Sequence, residues 1–309
     1  MSNTIICPGQ GAQALGMGRA WCDASAEAKA TFDRADAFLG DRLGGSLSSI
    51  CFDGPADTLN RTDVSQPAIY VCSIASWHGL GQPAPDCTAG LSLGEYTAMH
   101  LAGVFSFEDG LHLVAERGRL MQAAAEANDG SMLAVMGLDV EQARELCDET
   151  IAALGGGVLV PANLNAPGQI VLSGDSVACA KANELCGAHG HRATPLTVAG
   201  AFHSAHMQSA ADGLAETLAE TAMQSPTCGV WSNVTATPHE SCVDSIRQRL
   251  VEQLTSPVRW SDQCAAMVEA GHTSCTELAP GKVLRGLMRR INRDAKVTSH
   301  DEPDPTHAS

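Results

Sequence analysis

Short apolar runs alternate along this chain with stretches whose apolar residues recur at helical spacing. The first run, TIIC (4–7), predicts a short strand leading into the glycine-rich turn PGQGAQ (8–13). Residues 68–80, AIYVCSIASWHGL, predict a buried helix. CTAGLSLGEYTAMHLAG then predicts an apolar strand, a tight turn and a helix that stops at Gly103. Strands that alternate with helices in this way indicate an α/β fold with a largely parallel sheet.

The middle of the chain has a different rhythm. MLAVMGL (132–138) predicts a strand and DVEQARELCDETIAAL (139–154) a helix. GVLVPANLNAPGQIVLSG (157–174) predicts two strands around an Asn-Ala-Pro-Gly turn. SVACAKANELCGAHG (176–190) is helical again and RATPLTVA (192–199) extended. The order β-α-β-β-α-β matches the split βαβ of a ferredoxin-like lobe. A small domain inserted into a larger α/β one is therefore expected. From about Val297 the chain turns polar, with Pro and Asp, and is expected to be disordered.

Composition narrows the function. At 309 residues the chain can hold one sizeable core and a smaller lobe. Its net charge of −16 argues against nucleic acid or an anionic membrane as partner. No apolar run approaches a membrane span, and MSNTIICP lacks the start of a secretory signal, so a cytoplasmic protein is expected. The twelve cysteines include no CxxC pair, and the nearest two, Cys179 and Cys186, are seven positions apart. Buried free thiols are expected, not metal ligands or disulfides.

The candidate chemistry starts at Gly90-Leu91-Ser92-Leu93-Gly94. A nucleophile elbow needs glycine on both sides of the serine, because flanking Cβ atoms would strike neighbouring backbone. The helix after it offers free N–H groups to a tetrahedral oxyanion. The competing reading is a helix-capping serine after a glycine turn. PGQGAQ lets backbone approach a ligand, and the Gln10 amide suits the second half of an oxyanion hole. In AGAFHSAHM (199–207), His203 or His206 could serve Ser92 as general base; the residues do not choose between them. Arg117 shares a helical stripe with Leu113, Leu120 and Ala124, so its charge needs a partner there. That partner is either a structural carboxylate or a carboxylate on the substrate.

Taken together, PGQGAQ, GLSLGEY, ERGRLMQ, NAPGQIVLSG, GAFHSAHM, QLTSPVRW and ELAPGKVL resemble, in order, the malonyl-CoA:acyl carrier protein transacylases. These belong with the acyltransferase domains of fatty acid and polyketide synthases. The resemblance implies that Ser92 is the acyl-accepting nucleophile and His203, not His206, its base. It implies that the Gln253 carbonyl orients His203, that the backbone N–H groups of Gln10 and Leu93 form the oxyanion hole, and that Arg117 binds the malonyl carboxylate. Asn163 and Gln169 match polar positions lining the cleft. Leu91 stands where many members carry histidine, which implies a drier site without loss of activity. Phe202 resembles the pattern linked to malonyl over methylmalonyl.

The fold so implied has a large α/β-hydrolase-like domain over 1–128 and 199–298, an inserted small ferredoxin-like domain over 129–198, and a disordered tail over 299–309. The function is ping-pong malonyl transfer from malonyl-CoA to acyl carrier protein through a malonyl-Ser92 ester, feeding fatty acid biosynthesis. No metal or other cofactor is expected, and the family suggests a monomer. Two other functions share features with this one: a serine hydrolase or thioesterase, and a non-catalytic carrier-binding module. Lys282, Arg285, Arg289, Arg290 and Arg293 gather late in the chain, either as a landing patch for an acidic carrier or as cations favourable to a helix C-terminus.

Overall fold

The structure is a computed structural model and describes residues 3–304. Its strands are β1 (Thr4–Cys7), β2 (Cys87–Gly90), β3 (Gly130–Met136), β4 (Leu159–Ala166), β5 (Gln169–Asp175), β6 (Arg192–Pro195), β7 (Gly229–Val230), β8 (Ser274–Leu278) and β9 (Lys296–His300). The larger sheet has the order β7-β2-β1-β8-β9, and every pairing in it is parallel.

TIIC and CTAG are buried at every position, as expected of central strands covered on both faces. Alternation sends Ile5 and Cys7 into one core and Ile6 into the other. On the first face lie the helices Thr62–Gly79 and Phe107–Ala127, with Ile69, Val114 and Met121 in that core. On the second, Trp260–Glu269 and Val283–Ile291 supply Trp260, Met267 and Leu284. Cys7 is paired with Gly90, so the two glycine-rich turns leave neighbouring strand ends. In a parallel sheet, that carboxyl edge is where ligands bind.

The smaller sheet runs β4-β5-β3-β6, antiparallel throughout, with a separate core that includes Leu133, Leu146 and Leu172. The helices Val140–Leu154 and Ser176–Ala188 complete the order β-α-β-β-α-β. Asp139 and Gln142 start the first of these with a capping box. Several contacts tie this unit to the large one. The backbones of Ala162 and Leu164 bond Val258, and Asp175 meets His206 at 2.7 Å.

Two expectations need correction. The helix expected from residue 68 starts at Thr62 and runs through Pro67. Proline lacks the N–H that would reach the Asp63 carbonyl, but unbroken burial from Val64 to Ser76 carries the helix past it. The ending expected to lose structure from about Val297 instead pairs as β9 along β8, and Ser299 donates to Glu277 at 2.6 Å. A polar edge strand satisfies its backbone on one side only, so it needs no apolar run. Residues 305–309 of that ending lie outside the described residues. All twelve cysteines are free, and the nine that are buried serve as packing groups.

Candidate active site

Ser92 sits in the turn between β2 and the helix Gly94–Leu101, with φ 53°. A Cβ on Gly90 would overlap the Gly94 carbonyl, and one on Gly94 would overlap the carbonyl of Cys7. Glycine is thus required at both positions by close backbone approach. Asn233 braces the turn from outside: its Oδ1 accepts from Ser92 N–H at 2.7 Å and its Nδ2 donates to the Gly90 carbonyl at 2.7 Å.

Ser92 Oγ lies 2.9 Å from His203 Nε2. On the far side of the ring, His203 Nδ1 is 2.8 Å from the Gln253 carbonyl. A carbonyl only accepts, so Nδ1 carries the proton and Nε2 is left to accept from the serine hydroxyl. His203 also has positive φ, at 58°. Of the four non-glycine residues with positive φ among the described residues, these are two, so backbone strain is concentrated at the pair. Burial pushes the His203 pKa down to about 4, Arg117 pushes it the same way, and backbone hydrogen bonds oppose both. His206 is tied to Asp175 and has no part in this pair.

Arg117 is fully buried, and no carboxylate among the described residues meets it. One Nη donates to Gln66 Oε1 at 2.7 Å, the other to Ser92 Oγ at 3.0 Å and to Gln253 Oε1 at 2.9 Å. Its carbon lies 5.2 Å from the centre of the Tyr96 ring, and its Nε has no acceptor among the described residues. A buried cation held only by neutral groups is an incomplete arrangement, and an entering anion would complete it.

The Gln10 side chain donates to Thr62 Oγ1 at 3.2 Å and makes no hydrogen bond to the elbow among the described residues, so its amide is engaged elsewhere than the reading of it as an oxyanion donor requires. Its loop does lie against the elbow, since a Cβ on Gly9 would overlap the Leu91 carbonyl. The backbone N–H groups of Gln10 and Leu93 have no protein acceptor among the described residues. Asn163 pairs by backbone with Val258 at the junction of the two units. Gln169 accepts from Arg290 at 3.1 Å, and no hydrogen bond links it to the serine group among the described residues. Phe202 packs in the main core, and Leu91 is half-buried. Arg289 and Arg290 occupy the last turn of Val283–Ile291, where cations suit the helix dipole.

A cavity of about 340 Å3 adjoins His203. Thr255 and Pro257 line it from the large unit, and Pro161, Leu164, Val140 and Arg144 from the small one. Its volume falls in the range of small-molecule sites, and its walls come from both units.

Several residues of this site carry no recognisable signal in the sequence. Asn233, Glu95, Gln66 and His239 all bond the groups above or each other. Glu95 alone stands inside a motif, GLSLGEY, where its adjacency to the elbow is the one hint.

The acyl transferase domain family matches residues 4–301. The malonyl CoA-acyl carrier protein transacylase of Bacillus subtilis is 39% identical over 303 residues, covering 97% of this chain and 93% of that one. The structure of the malonyl CoA-acyl carrier protein transacylase from Coxiella burnetii superposes with a TM-score of 0.92 at 34% identity, covering 98% of this chain and 94% of that one. A malonyl-transacylase solved in complex with its type II polyketide synthase acyl carrier protein gives 0.91 at 36% identity, covering 98% and 97%.

Proposed function

The chain belongs to the acyl transferase family, and from that premise we propose that it moves malonyl groups from malonyl-CoA to the phosphopantetheine thiol of acyl carrier protein through a malonyl-Ser92 ester. One observation carries the reading: a serine hydroxyl sits between a neutral buried histidine and a buried arginine that has no carboxylate partner among the described residues.

In the first half, His203 Nε2 takes the Ser92 proton as Oγ bonds to the malonyl carbonyl carbon. The oxyanion meets the N–H groups of Gln10 and Leu93, worth about 3 kcal/mol per donor. The carbon–sulfur bond breaks, His203 returns the proton to sulfur, and coenzyme A departs. In the second half, the carrier's thiol gives its proton to His203 and attacks the ester. The carbon–oxygen bond breaks, Ser92 recovers its proton, and malonyl-carrier leaves. Arg117 holds the acyl carboxylate through both halves, because a carboxylate is a stronger acceptor than Ser92 Oγ or the Gln253 amide. The 340 Å3 cavity takes the pantetheine arm; Asn163 belongs to β4, whose Pro161 and Leu164 line it, and Gln169 to the neighbouring β5. This scheme calls for no metal or other cofactor.

The remaining details belong to the same proposal. The small sheet's order supports a ferredoxin-like domain over 129–198, and the elbow supports a hydrolase-like large domain over 1–128 and 199–298. The enzyme acts as a monomer in the cytoplasm, supplying extender units for fatty acid synthesis. No helix among the described residues is long and apolar enough to cross a membrane.

The testing experiment is an intact mass of the protein after malonyl-CoA, and again after carrier bearing its arm. One malonyl adduct should appear and then discharge onto the carrier. Steady release of malonate without carrier would make the protein a hydrolase instead.

The histidine predicts the pH profile. Protonated His203 cannot act as base, so kcat/KM falls as pH drops through its pKa. With that pKa pushed down to about 4, the acid limb should lie near pH 4 and not near the 6.5 of an ordinary histidine. A limb between pH 6 and 7, in protein that remains folded, would contradict a buried neutral base.

A further inference from the structure

Glu95 is buried three positions beyond the nucleophile, and its carboxylate is fully engaged. Oε1 accepts from His239 Nε2 at 2.6 Å; Oε2 accepts from the Asn233 N–H at 3.1 Å and from Gln253 Nε2 at 2.6 Å. The Glu95 backbone N–H donates to the Ser92 carbonyl at 3.1 Å, but no hydrogen bond joins the carboxylate itself to Ser92, His203 or Arg117 among the described residues.

Gln253, which it holds, reaches all three. Its backbone carbonyl orients His203, its Nε2 also donates to the Ser92 carbonyl at 3.0 Å, and its Oε1 accepts from Arg117. The two ends of that amide are similar in shape and opposite in polarity. A carboxylate accepts only, so Glu95 requires the NH2 end to face it. A guanidinium donates only, so the oxygen must then face Arg117. Reversing the amide would set NH2 against guanidinium and oxygen against carboxylate. The amide is thus an oriented link between a buried anion and a buried cation. His239 closes the arrangement from behind, with its side chain buried in turn.

We propose that Glu95, clamped by His239, is a positioning residue that orients the Gln253 amide and through it the Arg117 guanidinium, so that selection of a carboxylated acyl group depends on a carboxylate that never touches substrate. The proposal rests on the reading of Arg117 as the malonyl-binding group.

The test compares kcat/KM for malonyl-CoA and acetyl-CoA in the full-length wild type, Arg117→Ala, Glu95→Ala, Glu95→Gln, His239→Leu and His239→Gln. Glu95→Ala should lower the malonyl-to-acetyl ratio about tenfold or more, the loss expected when a charge-assisted contact is misplaced. Glu95→Gln can still present an oxygen to Gln253, so it should keep the ratio within about threefold of wild type. His239→Leu should lower the ratio severalfold and His239→Gln, which keeps a donor, should restore it. A uniform loss on both substrates, an unchanged ratio in Glu95→Ala, or equal losses in the Gln and Ala variants would overturn the proposal. If Glu95→Ala does not fold, the two His239 variants decide by the same criterion. A wild type without malonyl preference, or Arg117→Ala that retains it, refutes the parent reading. Preference lost in Arg117→Ala but kept in the Glu95 and His239 variants refutes this proposal alone.

Discussion

Alanine at position 92 is expected to give no malonyl adduct and to slow transfer to carrier by about 10^4-fold to 10^6-fold, the usual consequence of removing an acyl-accepting nucleophile. The protein should stay folded, because the bonds that shape the elbow are made by backbone and by other residues. The Ser92 N–H to Asn233 and the Ser92 carbonyl to Gln253 both survive the change. Alanine is no more comfortable than serine at φ 53°, so the turn keeps its strain. What disappears is one acceptor for Arg117 and the partner of His203 Nε2, a stability change of about 1 kcal/mol. Intact mass after malonyl-CoA, a carrier-charging assay and a melting curve check the three parts. Transfer that persists within about a hundredfold of wild type, or an adduct of unchanged yield, would mean that another residue carries the acyl group.

The elbow was legible because its requirements are local. Two glycines, a strand and a helix within one stretch of chain fix the backbone, and the short apolar runs TIIC and CTAG, set among helical stretches, foretold the sheet that carries it. The small antiparallel unit was legible for the same reason, since its strand and helix periods are strong and its turns carry Pro, Gly and Asp. The buried support of the site was not. Glu95 meets Asn233, His239 and Gln253 from 138, 144 and 158 positions away, and no periodicity joins such residues. His239 lies in the polar run TPHESC, which reads as surface loop until the fold folds it inward. Arg117 was half legible: a cation in an apolar stripe demands a partner, but only the packed site reveals that its partners are two glutamine amides and a hydroxyl. The side chains of Gln10 and Gln169 were placed by motif, and each turned to a neighbour, Thr62 or Arg290, that motif spacing does not reveal. β9 escaped notice because an edge strand with one partner can be polar throughout.

Removing the guanidinium should separate recognition from chemistry. Arg117→Ala is expected to lower kcat/KM for malonyl-CoA about 10^2-fold to 10^3-fold, the equivalent of about 3 to 4 kcal/mol, while acetyl-CoA loses less than about tenfold. The asymmetry follows from what each acyl group offers: malonyl brings a carboxylate into a site from which water is excluded, and acetyl brings a methyl. Arg117→Lys should fall between, because an ammonium keeps the charge but not the planar fork that meets a carboxylate with two bonds. Stability should change little in comparison with activity. The wild type bears the cost of desolvating this cation, which burial already shows by drawing its pKa down, and the variant exchanges that cost for a cavity and for amide oxygens on Gln66 and Gln253 without donors. The acid limb should also move. Arg117 helps hold the His203 pKa down, so its loss should shift the limb to higher pH, toward the ordinary histidine value. Steady-state rates with the two acyl-CoA substrates across pH, at fixed carrier, test all of this together. Equal losses for malonyl and acetyl would show that Arg117 serves the serine and not the acyl group, and selection for malonyl would then have to come from elsewhere in the cavity.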